Sequence, residues 1–260
     1  MNQIIPTAEP FFLPTNNKKL GCLLTHGFTG APKEMRWMGE YLSENGYTAL
    51  GVRLAGHATR PENMIRSRYT DWLASVEDGY HTLRGVVDHI VLVGLSMGGA
   101  LSLLSSTRLD VAGVAVMSTP YALPPDSRLK YLKWLSLLVP YMPKGKLPPG
   151  SGWFDKEAWK DHISYPQNPV RSIAELNKLL TEMRAALPCV KVPTLLIHSK
   201  DDDYVLPENM EHIYGELGAS DKTKVYITGS GHVVTRDAAR HQVFKVVGEF
   251  MRKVESQLES

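Results

Sequence analysis

The chain has 260 residues, 43% hydrophobic and 22% charged, with 29 Lys+Arg against 27 Asp+Glu for a formal net charge of +2. That composition excludes a disordered chain, a collagen-like repeat and a disulfide scaffold, and it advertises no clustered basic face for nucleic acid. A chain this long buries roughly 70–75% of its unfolded surface, so it needs no covalent or metal staple.

In chain order, residues 9–14 read as an outer antiparallel strand and 20–25 as a buried one. A helix follows over 33–44 and stops at Asn45-Gly46, a pair suited to ending a helix. The alternation continues with a strand over 48–52, a helix over 70–84, a strand over 90–94, a helix over 97–106 and a strand over 111–117. Past a long interruption come a strand over 194–198, a helix over 207–217, a strand over 225–228 and a closing helix over 238–258. The strand segments are short apolar runs bounded by Gly, Pro or polar residues, the pattern of strands covered on both faces. Such alternation specifies an α/β fold with a mostly parallel central sheet flanked by helices.

The interruption takes about 75 residues where one helix would suffice. It is dense in proline, yet 129–141 and 173–187 within it read as helices. A structureless loop of that length does not fit a compact domain, so a helical subdomain is expected.

Gly94-Leu-Ser96-Met-Gly98-Gly99 carries the strongest chemical signal. It follows the apolar run His89-Ile-Val-Leu-Val93 and precedes a small-residue segment, so a strand must turn sharply into a helix with Ser96 at the apex. The flanking glycines remove Cβ atoms that so tight a turn would bring into collision. The hydroxyl is left outside the sheet edge, above the positive end of a helix. A serine nucleophile needs a base, and the base needs an orienting acid. Of nine histidines, His232 in Thr228-Gly-Ser-Gly-His232 sits in a loop between the last strand and the last helix, the place for the base. The acid lies in the stretch Asp201-Asp202-Asp203, where residue types alone leave three candidates open. An oxyanion hole needs two backbone N–H groups. One comes from Met97, the residue after the nucleophile; the other comes from Phe28 in His26-Gly27-Phe28-Thr29-Gly30. The side chains of Phe28 and Met97 are also expected to line the pocket.

These motifs, together with Gly51-Val-Arg-Leu-Ala-Gly-His57 and Ser230-Gly-His-Val-Val-Thr-Arg-Asp237, resemble the α/β-hydrolase superfamily. Within it they are most similar to the compact bacterial carboxylesterases and monoacylglycerol lipases. They run in the family's order from about position 20 to 240, so the resemblance covers nearly the whole chain. It implies an α/β-hydrolase fold with a helical cap inserted after the sixth core strand: a core of 1–118 and 190–260, and a cap (lid) of 119–189. It also implies Asp202 as the acid, because Val205 and Pro207 follow it at the family's distances; Asp203 is the reserve. Asp201 stands where the family often has a neutral residue, and its charge is expected to raise the acid's pKa. His57 takes a family position that supports the loop architecture, and Trp72 is expected to pack a helix on the sheet.

The activity so implied is that of a serine ester hydrolase, a carboxylesterase cleaving short- to medium-chain carboxylic esters, monoacylglycerols included. It works through Ser96, His232 and Asp202 and an acyl-enzyme. A dedicated monoacylglycerol lipase and an acyltransferase using the same triad are the alternatives, and a non-enzymatic hydrolase-fold binding protein is a remote third. Ser96 stands where the similar haloalkane and epoxide hydrolases place Asp, which sets those reactions aside. Residues 128–142 combine Leu, Trp and Tyr with Lys and Arg, which suits an apolar pocket lid and transient contact with a membrane surface. No metal or organic cofactor is expected, there being no H-E-x-x-H and no dinucleotide glycine pattern. Cys22 and Cys189 lack metal-ligand spacing and are expected as reduced thiols. Neither a secretory signal nor an apolar run near 18 residues is read, so a cytoplasmic protein is expected. Its partner is then a small-molecule ester or acylglycerol, with no nucleic acid, and the protein is a monomer or weak homodimer.

Overall fold

The computed structural model describes residues 3–125, 131–144, 148 and 150–259. The short apolar runs become strands: β1 (Phe11–Leu13), β2 (Leu20–Thr25), β3 (Thr48–Val52), β4 (His89–Leu95), β5 (Gly113–Met117), β6 (Tyr141–Pro143), β7 (Gln167–Pro169), β8 (Thr194–Ser199) and β9 (Lys222–Ile227). The helices are α1 (Lys33–Glu44), α2 (Pro61–Arg66), α3 (Tyr69–Arg84), α4 (Met97–Ser105), α5 (Leu132–Leu138), α6 (Lys156–Lys160), α7 (Val170–Ala186), α8 (Glu208–Glu216) and α9 (Arg240–Gln257). Seven strands form one sheet in the order β1-β3-β2-β4-β5-β8-β9. All neighbours run parallel except β1, which pairs antiparallel with β3.

Side chains alternate between the two faces of each strand, and both faces are covered. Ile90 and Leu92 of β4 join Trp72 and Val76 of α3, Leu101 of α4 and Leu179 of α7 in one buried cluster. Val91 and Val93 join Met35 and Met38 of α1 and Val247 and Met251 of α9 in the other. In the first of these clusters Trp72 is fully buried, in the packing role expected of it. Both cysteines are free, Cys22 buried and Cys189 exposed. Among the described residues no helix is long and apolar enough to cross a membrane.

The insertion follows β5, the fifth strand of this chain in sequence order. One strand, β1, precedes β2 among the described residues, and Pro10 and Pro14 bracket it. The expected helix 129–141 is also shorter. Leu129 and Lys130 lie outside the described residues, as does Arg128 of the 128–142 stretch, and α5 ends at Leu138. Val139 turns extended ahead of Pro140, because a proline disfavours helical geometry in the residue before it, and Tyr141 opens β6. β6 pairs antiparallel with β7 in a small separate ribbon. At the end of the insertion, Leu179, Leu180 and Met183 of α7 pack into the same cluster as Leu196 of β8.

Candidate active site

Ser96 sits between the end of β4 and the start of α4 with φ 55° and ψ −119°, a region that L-residues rarely occupy. Its backbone N–H donates to the carbonyl of Met117 at 2.8 Å, which anchors the turn to β5. A Cβ on Gly94 would lie 2.3 Å from the carbonyl oxygen of Gly98, and one on Gly98 would lie 2.1 Å from that of Thr25. Only hydrogen fits at either position, so the glycines are what allow strand and helix to meet at so sharp an angle. The serine is 8% exposed.

His232 comes to this apex from the loop after β9. Its Nε2 lies 2.9 Å from Ser96 Oγ, and its Nδ1 lies 2.8 Å from Asp202 Oδ2. The other carboxylate oxygen of Asp202 accepts the N–H groups of Tyr204 and Val205 at 3.0 and 2.9 Å. Of the three aspartates, then, Asp202 is the one that meets the imidazole. Asp201 points away and accepts the N–H of Gly229 at 2.7 Å, bracing the histidine loop, while Asp203 joins the wall of the adjacent cavity. Asp201 was expected to raise the pKa of Asp202, and the direction is the reverse. Burial does push the Asp202 carboxyl up, but the neighbouring His232, hydrogen bonds from His198 and His232 and the Val205 N–H together hold it well below the usual carboxylate range.

Two further residues at this site were not singled out from sequence for a part in the triad. His198, buried at the end of β8, lies with Nε2 2.7 Å from the Val205 carbonyl and 3.3 Å from Asp202 Oδ2. Both neighbours are acceptors, so the proton belongs on Nε2 and is shared between them. The signal in the sequence was a lone histidine in an apolar strand four residues before the acid. Asp237 was quoted only as part of a motif. Its carboxylate accepts the N–H groups of Phe154 and Asp155, in the insertion, and of Gly231, beside His232. It thereby ties the two segments together.

Phe28 lies in the loop after β2, half-buried, with its ring edge-to-face against Trp72 at 6.2 Å. It lines the same cavity as Ser96, whereas the side chain of Met97 does not. Met97 is fully buried in the cluster with Leu101 and Trp72, because the first residue of a helix directs its side chain back toward the preceding strand. His57 is buried outside the cavity lining, with Nδ1 3.1 Å from the Ala55 carbonyl, and burial lowers its pKa to about 4.

The cavity at Ser96 has a volume of about 380 Å³. Phe28, Leu95, Trp153, Trp159 and Val233 supply apolar wall; Glu34, Lys144, His162, Ser164 and Asn168 supply polar wall. The expected apolar lid is therefore mixed in character. The apolar residues of α5 face away from the cavity, with Trp134, Leu137 and Leu138 exposed by 69%, 70% and 84%. The described residues between β6 and β7, α6 included, and Asn168 of β7 supply the insertion's part of the wall instead.

Glu34, on the first turn of α1, is buried in that wall, and burial raises its pKa to about 7. A carboxyl whose pKa is higher folded than unfolded gives stability that is complete below about pH 4.5 and lost as pH rises through about 7. Glu34→Gln removes that titration. The stability of the Gln variant relative to wild type is therefore expected to rise between pH 5 and pH 8, by at most roughly 3 kcal/mol. Urea unfolding of both proteins at the two pH values checks this; a difference independent of pH would contradict it.

Over residues 16–239 the chain matches the family model Hydrolase_4, described as serine aminopeptidase, S33. It is 32% identical to a thermostable monoacylglycerol lipase of Bacillus sp. (strain H-257) over 254 residues, covering 96% of each chain. It is 29% identical to a carboxylesterase of Bacillus subtilis (strain 168) over 253 residues, covering 96% of this chain and 99% of that one. A solved structure from work on LipS and LipT, two metagenome-derived lipolytic enzymes, superposes with a TM-score of 0.85 at 30% identity, covering 96% of this chain and all (100%) of that one. With the family model matched over most of its length and a parallel sheet bearing a serine elbow, the chain belongs to the Hydrolase_4 (serine aminopeptidase, S33) family of α/β-hydrolases.

Proposed function

We propose that the protein is a carboxylic ester hydrolase that cleaves short- to medium-chain esters, monoacylglycerols included, with Ser96 as nucleophile, His232 as general base and Asp202 as its orienting acid. The observation that carries this reading is the hydrogen-bonded relay from Ser96 Oγ through His232 to Asp202, at 2.9 and 2.8 Å, at the wall of a cavity of about 380 Å³. Similarity to a monoacylglycerol lipase and a carboxylesterase along nearly the whole chain supports it.

In this mechanism Ser96 Oγ adds to the ester carbonyl carbon as its proton passes to His232 Nε2. The negative charge on the carbonyl oxygen is received by the N–H groups of Phe28 and Met97. Collapse of the tetrahedral species expels the alcohol, protonated by His232, and leaves an acyl-Ser96. Water deprotonated by the same imidazole then releases the acid. Asp202, ionised and hydrogen-bonded to Nδ1, holds the ring in the tautomer that leaves Nε2 able to accept.

Residues 119–189 act as a cap on a core of 1–118 and 190–260. The exposed Trp134, Leu137 and Leu138 give the cap its membrane-surface contact, where apolar substrates are delivered. The protein works in the cytoplasm, as a monomer or weak homodimer. A dedicated monoacylglycerol lipase is the second reading, favoured by the polar groups of Ser164 and Asn168 in the cavity wall, which suit a hydroxylated leaving group.

The test compares kcat/KM for a monoacylglycerol and for the methyl ester of the same acyl chain, with Ser96→Ala as the blank. The broad esterase reading expects values within about tenfold of each other, a transition-state difference of about 1.4 kcal/mol or less. A larger monoacylglycerol advantage would establish glycerol recognition and the second reading. Absence of turnover on both esters would overturn the proposal.

A further inference from the structure

We infer that Glu34 is a positioning residue for the reaction: its buried carboxyl is the template around which the oxyanion loop, residues 27–30, is folded. This rests on the reading of Ser96 as nucleophile and of the Phe28 N–H as an oxyanion donor.

The contacts are direct. Glu34 Oε2 accepts the N–H of Gly27 at 2.8 Å, one residue before Phe28. The loop wraps the carboxyl so tightly that a Cβ on Gly30 would lie 2.2 Å from Glu34 Oε1. A Cβ on Gly27 would lie 3.2 Å from Oε2 on one side and 3.4 Å from Ser96 Cβ on the other. Gly27 is thus held between the Glu34 carboxyl and the nucleophile, and both glycines of the loop owe their place to the carboxyl as much as to substrate. The backbone of Glu34 reaches the other side of the site, since its carbonyl accepts the Thr235 hydroxyl at 2.7 Å, three residues beyond His232. Its remaining oxygen faces His162 Nε2 at 3.6 Å, and Lys144, His232 and Arg236 are the other charged or titratable groups around it.

A buried carboxyl is costly unless it is well bonded, and an apolar side chain of similar size would fill this space more cheaply. What an apolar side chain lacks is an acceptor for the Gly27 N–H. Without that bond the Gly27 N–H is left unpaired and the 26–27 peptide loses its anchor. The next peptide keeps only the contacts of the Gly27 carbonyl, with the Gly30 N–H at 3.2 Å and His26 Nδ1 at 2.9 Å, so the aim of the Phe28 N–H at the developing oxyanion shifts with it. Donors of this kind work only when they are held in place before the charge develops, and loss of one costs about 10²–10³-fold in kcat. Burial raises the carboxyl's pKa to about 7, which limits the negative charge set beside the oxyanion near neutral pH.

The experiment measures kcat and KM for an ester the wild type turns over, and the inhibition constant of a trifluoromethyl ketone of the same acyl chain. Ser96 Oγ adds to the carbonyl carbon of that ketone, its proton passes to His232, and the resulting oxyanion occupies the hole. Glu34→Ala is expected to lower kcat 10- to 100-fold with KM within about threefold, and to weaken the ketone by a similar factor. Glu34→Gln keeps an acceptor oxygen in place and is expected to restore both to within about threefold of wild type. Glu34→Asp, one methylene short of Gly27, is expected to behave like the alanine variant and serves in its place if that variant does not fold. Wild-type kcat in Glu34→Ala or Glu34→Asp, a loss confined to KM, or a folded Glu34→Gln as impaired as these would overturn the inference. Ser96→Ala run in parallel separates the failures. Turnover surviving in that variant sinks the reading of the site itself; its loss, with Glu34 variants unaffected, sinks only the role of Glu34.

Discussion

Ser96→Ala is expected to lower kcat on any ester the protein cleaves by about 10⁴- to 10⁶-fold while leaving the fold intact. The size follows from the arrangement of the relay. Without Oγ no covalent acyl intermediate forms, and His232 Nε2, 2.9 Å from that oxygen, has no proton to take. Under the proposed mechanism what remains is the oxyanion loop and the cavity, which would bind substrate without supplying an attacking atom. Stability changes little, because the hydroxyl is small and alanine inherits the same backbone strain at φ 55° and ψ −119°. Steady-state turnover of the purified variant, beside its thermal midpoint, checks both halves. Activity above about one part in a thousand of wild type would mean another nucleophile carries the reaction.

Gly98→Ala carries the second large effect, and it falls on stability first. The added Cβ would lie 2.1 Å from the Thr25 carbonyl oxygen, 2.6 Å from its carbon and 2.7 Å from the His26 carbonyl oxygen. All three are backbone atoms at the end of β2, which is hydrogen-bonded to β3 on one side and β4 on the other. No side chain can swing aside to relieve the contact. A loss of at least about 3 kcal/mol is expected, at the upper end for overpacking in a core. Whatever fraction folds should also lose turnover, because displacing Thr25 and His26 carries Gly27 and Phe28 with them. Gly215→Ala is the matched control. That glycine lies within α8 with open space where a Cβ would go, so alanine there is expected to stabilise by about 0.5–1 kcal/mol. Urea midpoints for the two variants decide the matter, and a Gly98→Ala midpoint equal to wild type would show that the elbow has slack the geometry denies.

The order of the seven sheet strands and of their connecting helices apart from α2, the parallel sheet, the serine elbow and the histidine loop were legible in the sequence alone, whereas β6, α6 and β7 of the insertion were not. Each rests on a local rule. Strands buried on both faces need short continuous apolar runs, and helices need a periodic apolar stripe. A strand-to-helix turn as tight as the one at Ser96 needs glycine where backbones touch, and the residues on either side of a strand end advertise the loop that carries a functional group. α1 begins and ends where the sequence predicts, at Lys33 and Glu44, because Asn45-Gly46 marks the stop chemically. Residue types alone could not choose among Asp201, Asp202 and Asp203; the choice came from family resemblance, and its cause is where each carboxylate points in the folded loop.

What tertiary structure alone decided are the contacts between segments distant in the chain. Nothing local marks Glu34 as different from any acidic residue in the first turn of a helix, where it would ordinarily face water. It is buried because α1 packs with its start against the 27–30 loop, the Thr235 hydroxyl and His162 of the insertion. His198 reads as one polar residue in an apolar strand until the Asp202 turn folds back over it. The character of the cavity was likewise hidden. In the most apolar stretch of the insertion, α5, Leu132 is buried but Trp134, Leu137 and Leu138 turn outward, and the wall is built from the segments around Lys144, Trp153 and His162. Periodicity tells which face of an element is apolar, but which neighbour that face meets, or whether it meets one, is set by the packing of the whole chain.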